Sequence, residues 1–243
     1  MKKKSIKNKR HTRKNRNTNK NRFKNKIGGN SESALMLCHD YSTHKKYFFA
    51  NKSGENFYAE DIFKIVDYVD PKALPGAIPK GNQFKNLEDI PPTKNYDKIF
   101  SLFCPIYTCI SAPNIIDIYD GKISIQEVLQ NCRLDVFQKL ISSAVKLLSE
   151  NGVLFIPITR KVGPKNRLHA TDIDPQLLWE YLRDVLDIIG MNDISMGYIR
   201  TQRLKNEVFV FTGVFHRPTI SFEDVPYHIL IAKNDDAIHS LLE

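Results

Sequence analysis

An α/β sandwich built on a mostly parallel sheet is the fold class this sequence predicts, and three stretches predict it. "AVKLLSENGVLFIPI" (residues 144–158) runs from an amphipathic helix through Asn-Gly into an almost wholly apolar strand. A strand without polar alternation is the pattern of a parallel strand covered on both faces. "DPQLLWEYLRDVLDIIG" (174–190) has an Asp at the N-cap, Pro at the first helical position and Gly at the end, the punctuation of a helix. "DISMGYIRT" and "EVFVFTGVFH" then read as two strands joined by a short polar turn through Lys205 and Asn206, a closing antiparallel hairpin.

In chain order, residues 1 to 30 have almost no apolar content, abound in Lys, Arg and Asn, and end in Gly28-Gly29-Asn30. Such a segment cannot bury enough surface to offset its ordering entropy, so a disordered tail is expected, followed by one domain over 31–243. "ALMLCH" (34–39) reads as a short buried strand. "FYAEDIFKIVDYVD" (57–70) holds a helical turn and then a strand around Ile65 to Val69. "YDKIFSLF" (96–103) is a strand closed by Pro105. Across "SIQEVLQNCRLDVFQKLISSAVKLLSE" (124–150), Leu134, Phe137, Leu140, Ile141, Ala144, Leu147 and Leu148 recur at three- and four-residue steps, which predicts one long helix with Asn151-Gly152 as its C-terminal cap.

Charge is unevenly placed. From Lys2 to Lys26 there are 13 Lys or Arg and no acid, leaving 23 basic against 27 acidic residues in the rest of the chain. The net charge of +9 therefore belongs to the tail, and the body is mildly acidic. Arg10, Arg13, Lys14 and Arg16 make the tail either a solubilising or nuclear-targeting segment, or an arm that neutralises nucleic-acid phosphates. Its one aromatic, Phe23, gives no basis for stacking on single strands. The loop "TRKVGPKNRLH" (159–169) is the body's dense basic patch; its Arg160, Lys161, Lys165 and Arg167 are either solvated or contact phosphates.

Four cysteines without a C-x-x-C pair make no disulfide framework. With no apolar stretch after the basic start, the expected setting is intracellular, cytoplasmic or nuclear, and not secreted. The 18 uncharged residues from Ile99 to Ile116 contain Pro105, Pro113, Asn114 and several hydroxyls, so no membrane span is expected. Enrichment in Lys, Asn and Ile is the composition of an AT-rich genome, such as that of a large DNA virus or a protist.

"YDKIFSLFCP", the helix ending "AVKLLSENGVLFIPI", "LLWEYLRDVLDIIGMNDISMGYI" and "EVFVFTGVF" together resemble the class I S-adenosylmethionine-dependent methyltransferases, over roughly residues 34–216. The resemblance implies a Rossmann-like three-layer sandwich. In that family the fourth strand follows an aromatic-Asp pair, here Tyr96-Asp97, and an antiparallel hairpin closes the sheet. It also implies a cofactor, S-adenosylmethionine, at the carboxyl ends of the first four strands. Cys38, His39 and Asp40 would then line the loop after the first strand, and Asp70 would hold the ribose hydroxyls. Glu88 and Asp89 in "NLEDIPP" would approach the adenine, with Phe103 at the end of the fourth strand and Pro105 beyond it.

Each of these positions has an ordinary alternative. Asp70 before Pro71 is equally an Asp capping a turn, and Glu88 and Asp89 are equally exposed turn residues. The family's first strand runs into a glycine-rich loop, whereas no glycine occurs here from Ala34 until Gly54. Glycines there allow backbone to approach the ligand closely, so the loop is either replaced or cofactor binding is lost. Amino-group methyltransferases carry Asn or Asp, Pro, Pro and an aromatic after the fourth strand. Here the segment is "CPIY" (104–107), and a thiol is a poor hydrogen-bond acceptor.

Cys38, His39 and Asp40 stand in a row but cannot form a triad with one another, because adjacent strand residues point to opposite faces. Cys38, His39, Cys104 and Cys109 have no zinc-knuckle spacing, and no metal is expected. Two function classes result: a methyltransferase-like protein, degenerate or active, that acts on or is bound to nucleic acid, and a non-catalytic nucleic-acid-binding module using the basic arm. Catalytic residues, methyl acceptor and oligomeric state are not readable from the sequence.

Overall fold

The computed structural model describes residues 33–37, 49–50, 56–72, 74–101, 117–118, 120–131, 134–158, 175–200, 210–211 and 227–241. Along the chain these form β1 (Ser33–Leu37), β2 (Phe49–Ala50), β3 (Asn56–Phe57), α1 (Ala59–Ile62), β4 (Ile65–Val69), β5 (Gly76–Ile78) and β6 (Gly81–Phe84). A 3₁₀ turn (Leu87–Asp89) leads to β7 (Tyr96–Ser101), α2 (Ile125–Gln130), α3 (Leu134–Lys146), β8 (Leu148–Ile158) and α4 (Pro175–Ile188). The last elements are β9 (Ser195–Arg200), β10 (Val210–Phe211), β11 (Tyr227–Ala232) and α5 (Asp235–His239).

Eight strands form one sheet in the order β5-β6-β4-β1-β7-β8-β11-β9, and β10, β2 and β3 form a second, small one. The neighbours from β6 through β4, β1 and β7 to β8 are parallel, whereas β11 runs antiparallel to both β8 and β9. Counted along the chain, the parallel strands lie in the order third, second, first, fourth, fifth. That is the order of a doubly wound Rossmann-like sheet, with its reversal between β1 and β7.

Alternation along the strands divides the core. Leu35, Leu37, Ile99, Leu154, Ile156, Ile229 and Ile231 pack with Phe137, Ile141, Val185 and Leu186 from α3 and α4. On the other face, Met36, Val66, Tyr68 and Phe100 meet Phe49, Phe57, Ile62 and Phe63, while Val153, Leu230 and Ala232 meet Ala237 and Ile238 of α5. The apolar run in β8 is thus covered on both sides, as its lack of alternation predicts.

Helix punctuation is visible at two places, the second of which the sequence predicts. Ser124 caps α2, its hydroxyl accepting from the Glu127 N–H at 3.2 Å while the Glu127 carboxylate accepts from the Ser124 N–H at 2.6 Å, a reciprocal capping box. Gly190, at φ +72°, ends α4, with Gly190 N–H donating to the Asp187 carbonyl and Met191 N–H to that of Leu186, the left-handed glycine cap.

Three expectations are corrected. The single helix over 124–150 is divided: α2 ends at Gln130, and α3 runs from Leu134 to Lys146. Asn151-Gly152 is not a helix cap but lies inside β8, which begins at Leu148. The Tyr96 N–H takes the Leu147 carbonyl at 2.8 Å, so sheet pairing captures the last apolar residues of the helical repeat. Gly152 serves there by its size, since a Cβ would lie 2.6 Å from the Tyr96 carbonyl oxygen. Thirdly, the described part of "EVFVFTGVFH" is not the hairpin partner of β9. Val210 and Phe211 join Ala50 and Phe49 in the small sheet, and β9 pairs with "YHILIA". The slot between β8 and β9 requires a strand apolar on both faces, and Ile229, Leu230, Ile231 and Ala232 are all buried.

Candidate functional site

In an open α/β sheet the ligand crevice lies beyond the carboxyl ends of the strands, where the strand order reverses. Here that point is the end of β1, whose Leu37 is in register with Val69 of β4 on one side and Ser101 of β7 on the other. Asp70 follows Val69 directly. Its N–H donates to the Phe84 carbonyl at 3.1 Å, which joins it to the end of β6. Its Oδ1 accepts from the Lys72 N–H at 2.8 Å, so the turn-capping role is real. The second oxygen accepts no hydrogen bond among the described residues, and the half-buried carboxylate therefore keeps an acceptor for a ligand hydroxyl.

Glu88 and Asp89 lie in the 3₁₀ turn after β6 and are exposed. Asp89 Oδ2 accepts from the Asn86 N–H at 2.9 Å and closes that turn. Glu88 takes the Lys139 ammonium at 3.0 Å, and this hydrogen bond holds its carboxyl below the usual range. Both acids thus have the turn and surface roles that any exposed loop would give them, near the same edge as Asp70.

Ser101, which the sequence reading did not single out, ends β7 at the same sheet edge. It is the last described residue of β7, it is 1% exposed, and its Oγ has no hydrogen-bond partner among the described residues. The available signal was a lone hydroxyl inside the otherwise apolar "IFSLF". Cys38, His39, Asp40, Phe103, Cys104 and Pro105 lie outside the described residues, as do Arg10, Arg13, Lys14, Arg16, Arg160, Lys161, Lys165 and Arg167. Among the described residues no three His, Cys, Asp or Glu side chains gather as metal ligands, and no helix is long and apolar enough to cross a membrane.

The aromatic-Asp pair at the start of β7 sits at the opposite, amino end of the strand. Asp97 Oδ2 accepts from the N–H and hydroxyl of Ser33, and its Oδ1 from the Ser149 hydroxyl, so one carboxylate joins the starts of β1, β7 and β8. The Tyr96 hydroxyl donates to Asp67 Oδ2 at 2.5 Å, Lys94 Nζ reaches the same oxygen at 2.5 Å, and the Asn82 N–H gives Oδ1 2.7 Å. Burial first, and this bond to Asp67 second, hold the Tyr96 phenol far above its ordinary range. These groups fasten strands together. They are architecture, not chemistry.

No protein-family model matches the chain. Among solved structures it is similar to a Streptococcus thermophilus protein bearing the name hemolysin, at 9% identity over 97% of this chain and 69% of that one, with a TM-score of 0.39. It is similar to the 16S rRNA (adenine(1408)-N(1))-methyltransferase of Catenulisporales acidiphilia, at 14% identity over 88% and 91% of the two chains and a TM-score of 0.38. The third is DesVI of Streptomyces venezuelae, at 8% identity over 96% and 100%, with a TM-score of 0.39.

Proposed function

We propose that residues 31–243 form a methyltransferase-like domain, a Rossmann-like three-layer sandwich that takes S-adenosylmethionine and acts on, or is bound to, nucleic acid through the separate basic arm of residues 1–30. The observation that carries this reading is the placement of Asp70. It stands at the end of the second parallel strand, beside the reversal of strand order, with one carboxylate oxygen still able to accept from a ribose hydroxyl. In this reading Asp70 orients the nucleoside, and the bound cofactor supplies the methyl group. The loop containing Cys38, His39 and Asp40 would take the place of the glycine-rich turn, with Phe103 and Pro105 across from it. Glu88 and Asp89 have a weaker part, because Lys139 and the Asn86 N–H already engage them.

Isothermal titration with S-adenosylmethionine and S-adenosylhomocysteine tests the reading. The expected result is binding that Asp70→Ala weakens by ~10-fold, the worth of hydrogen bonds to a charged acceptor. Absence of heat with both ligands overturns it.

A second reading, a non-catalytic module that binds nucleic acid with its arm, is favoured by the 13 basic residues without an acid between Lys2 and Lys26. It is favoured also by the absence of glycine from Ala34 until Gly54. Arg160, Lys161, Lys165 and Arg167 would add phosphate contacts from the body.

A further inference from the structure

A buried hydroxyl without a hydrogen bond is a cost to the fold, because it gives up its contacts with water and receives nothing in return. Ser101 carries that cost at the place where Rossmann-like sheets bind their ligands. Among the described residues its Oγ has no partner, the residue is 1% exposed, and it is level with Leu37 at the end of β1. Its neighbours on the strand, Ile99 and Phe100, are apolar and fully packed. A serine has no packing advantage there over an alanine of nearly the same shape.

We infer that Ser101 is a ligand-binding side chain, whose hydroxyl, without a partner among the described residues, is satisfied by a ligand lying across the end of β1. The inference rests on the cofactor reading above and adds a residue to it. Val69 and Ser101 are in register on either side of Leu37, two strand spacings or about 10 Å apart. A molecule reaching from Asp70 to Ser101 must therefore extend beyond a ribose, as a nucleoside joined to an amino acid does. A hydroxyl both donates and accepts, so it can serve either an ammonium or a carboxylate at the far end.

The two consequences have opposite signs. Without ligand, Ser101→Ala removes an unsatisfied polar group, and the full-length protein should melt ~2–4 °C higher. With S-adenosylhomocysteine as the probe in calorimetry, the same variant should bind ~3- to 10-fold more weakly than the native chain, while Ser101→Thr, which keeps the hydroxyl, should bind within about twofold of it. Equal affinity of the native protein and Ser101→Ala overturns the inference and leaves the cofactor reading intact. A lower melting temperature for Ser101→Ala overturns it too, since the hydroxyl would then have a partner, protein or water, before any ligand is added. No heat with the native protein overturns both.

Discussion

Two charged side chains, Asp67 and Lys98, lie almost wholly out of water at 0% and 4% exposure, and their surroundings treat them differently. Asp67 receives three hydrogen bonds, from Tyr96, Lys94 and Asn82, so its charge is compensated. Removing it leaves a buried phenol and a half-buried ammonium without their acceptor, and Asp67→Ala should cost ~3–5 kcal/mol in urea denaturation. Lys98 has no carboxylate at salt-bridge distance among the described residues; its Nζ lies 6.0 Å from the centre of the Phe155 ring. Burial pulls its pKa down to about 8, against a smaller upward pull from Asp97. The folded chain then binds fewer protons than the unfolded chain between about pH 8 and the ordinary lysine value. Stability from this group should rise as pH rises through that window. The midpoint of thermal unfolding of the native protein should increase from pH 8 to 9.5, and Lys98→Met should remove that increase.

At the scale of elements, the glycine that closes α4 and the one inside β8 test different physics. Gly190 has φ +72° and nothing within 4 Å of a prospective Cβ. Gly190→Ala should therefore cost only the left-handed strain, ~1–2 kcal/mol. Gly152 has an ordinary backbone, but its Cβ would meet the Tyr96 carbonyl oxygen at 2.6 Å and the Ser149 nitrogen at 2.9 Å. Backbone cannot yield as a side chain can, and Gly152→Ala should cost more, ~2–4 kcal/mol, by forcing β7 and β8 apart. Chemical denaturation of both variants gives the ranking. A Gly152 substitution as mild as that of Gly190 would mean that the strands are not so closely apposed. Leu154, in the middle of β8 and fully buried, should lose ~2–5 kcal/mol on Leu154→Ala.

For the whole molecule, the charge excess of residues 1–30 over the rest of the chain supports the proposal of an arm that acts independently of the sheet. Deleting residues 1–30 should leave the melting temperature unchanged and remove duplex DNA binding that weakens steeply with salt. Equal affinity with and without the arm, measured at two salt concentrations, would exclude it as the electrostatic anchor. The two functional readings also separate at this scale. An enzyme requires the crevice at the end of β1 to bind a nucleoside-containing ligand, whereas a binding module requires only the arm.

Local sequence determined what depends on neighbours along the chain. The helical repeat through Phe137, Ile141 and Ala144, the Pro175 start and Gly190 end of α4, and the unbroken apolar β8 were all legible, because periodicity and capping act within a few residues. Asp70 was legible as a residue at the end of a strand, since the strand and the turn before Pro71 are both local. Partner choice was not. "EVFVFTGVFH" and "YHILIA" both have strand patterns, and only the tertiary structure puts the second, with Ile229 to Ala232 buried, between β8 and β9 while Val210 and Phe211 pair with β2. The same holds for Ser149 to Gly152, where an interstrand bond from Tyr96 overrides a local turn signal. Ser101 is the clearest case. Its hydroxyl looks unremarkable in "IFSLF", and only the tertiary structure makes it a buried group without a partner among the described residues. Tertiary structure alone decides such burial, because the residues that exclude the water are distant in sequence.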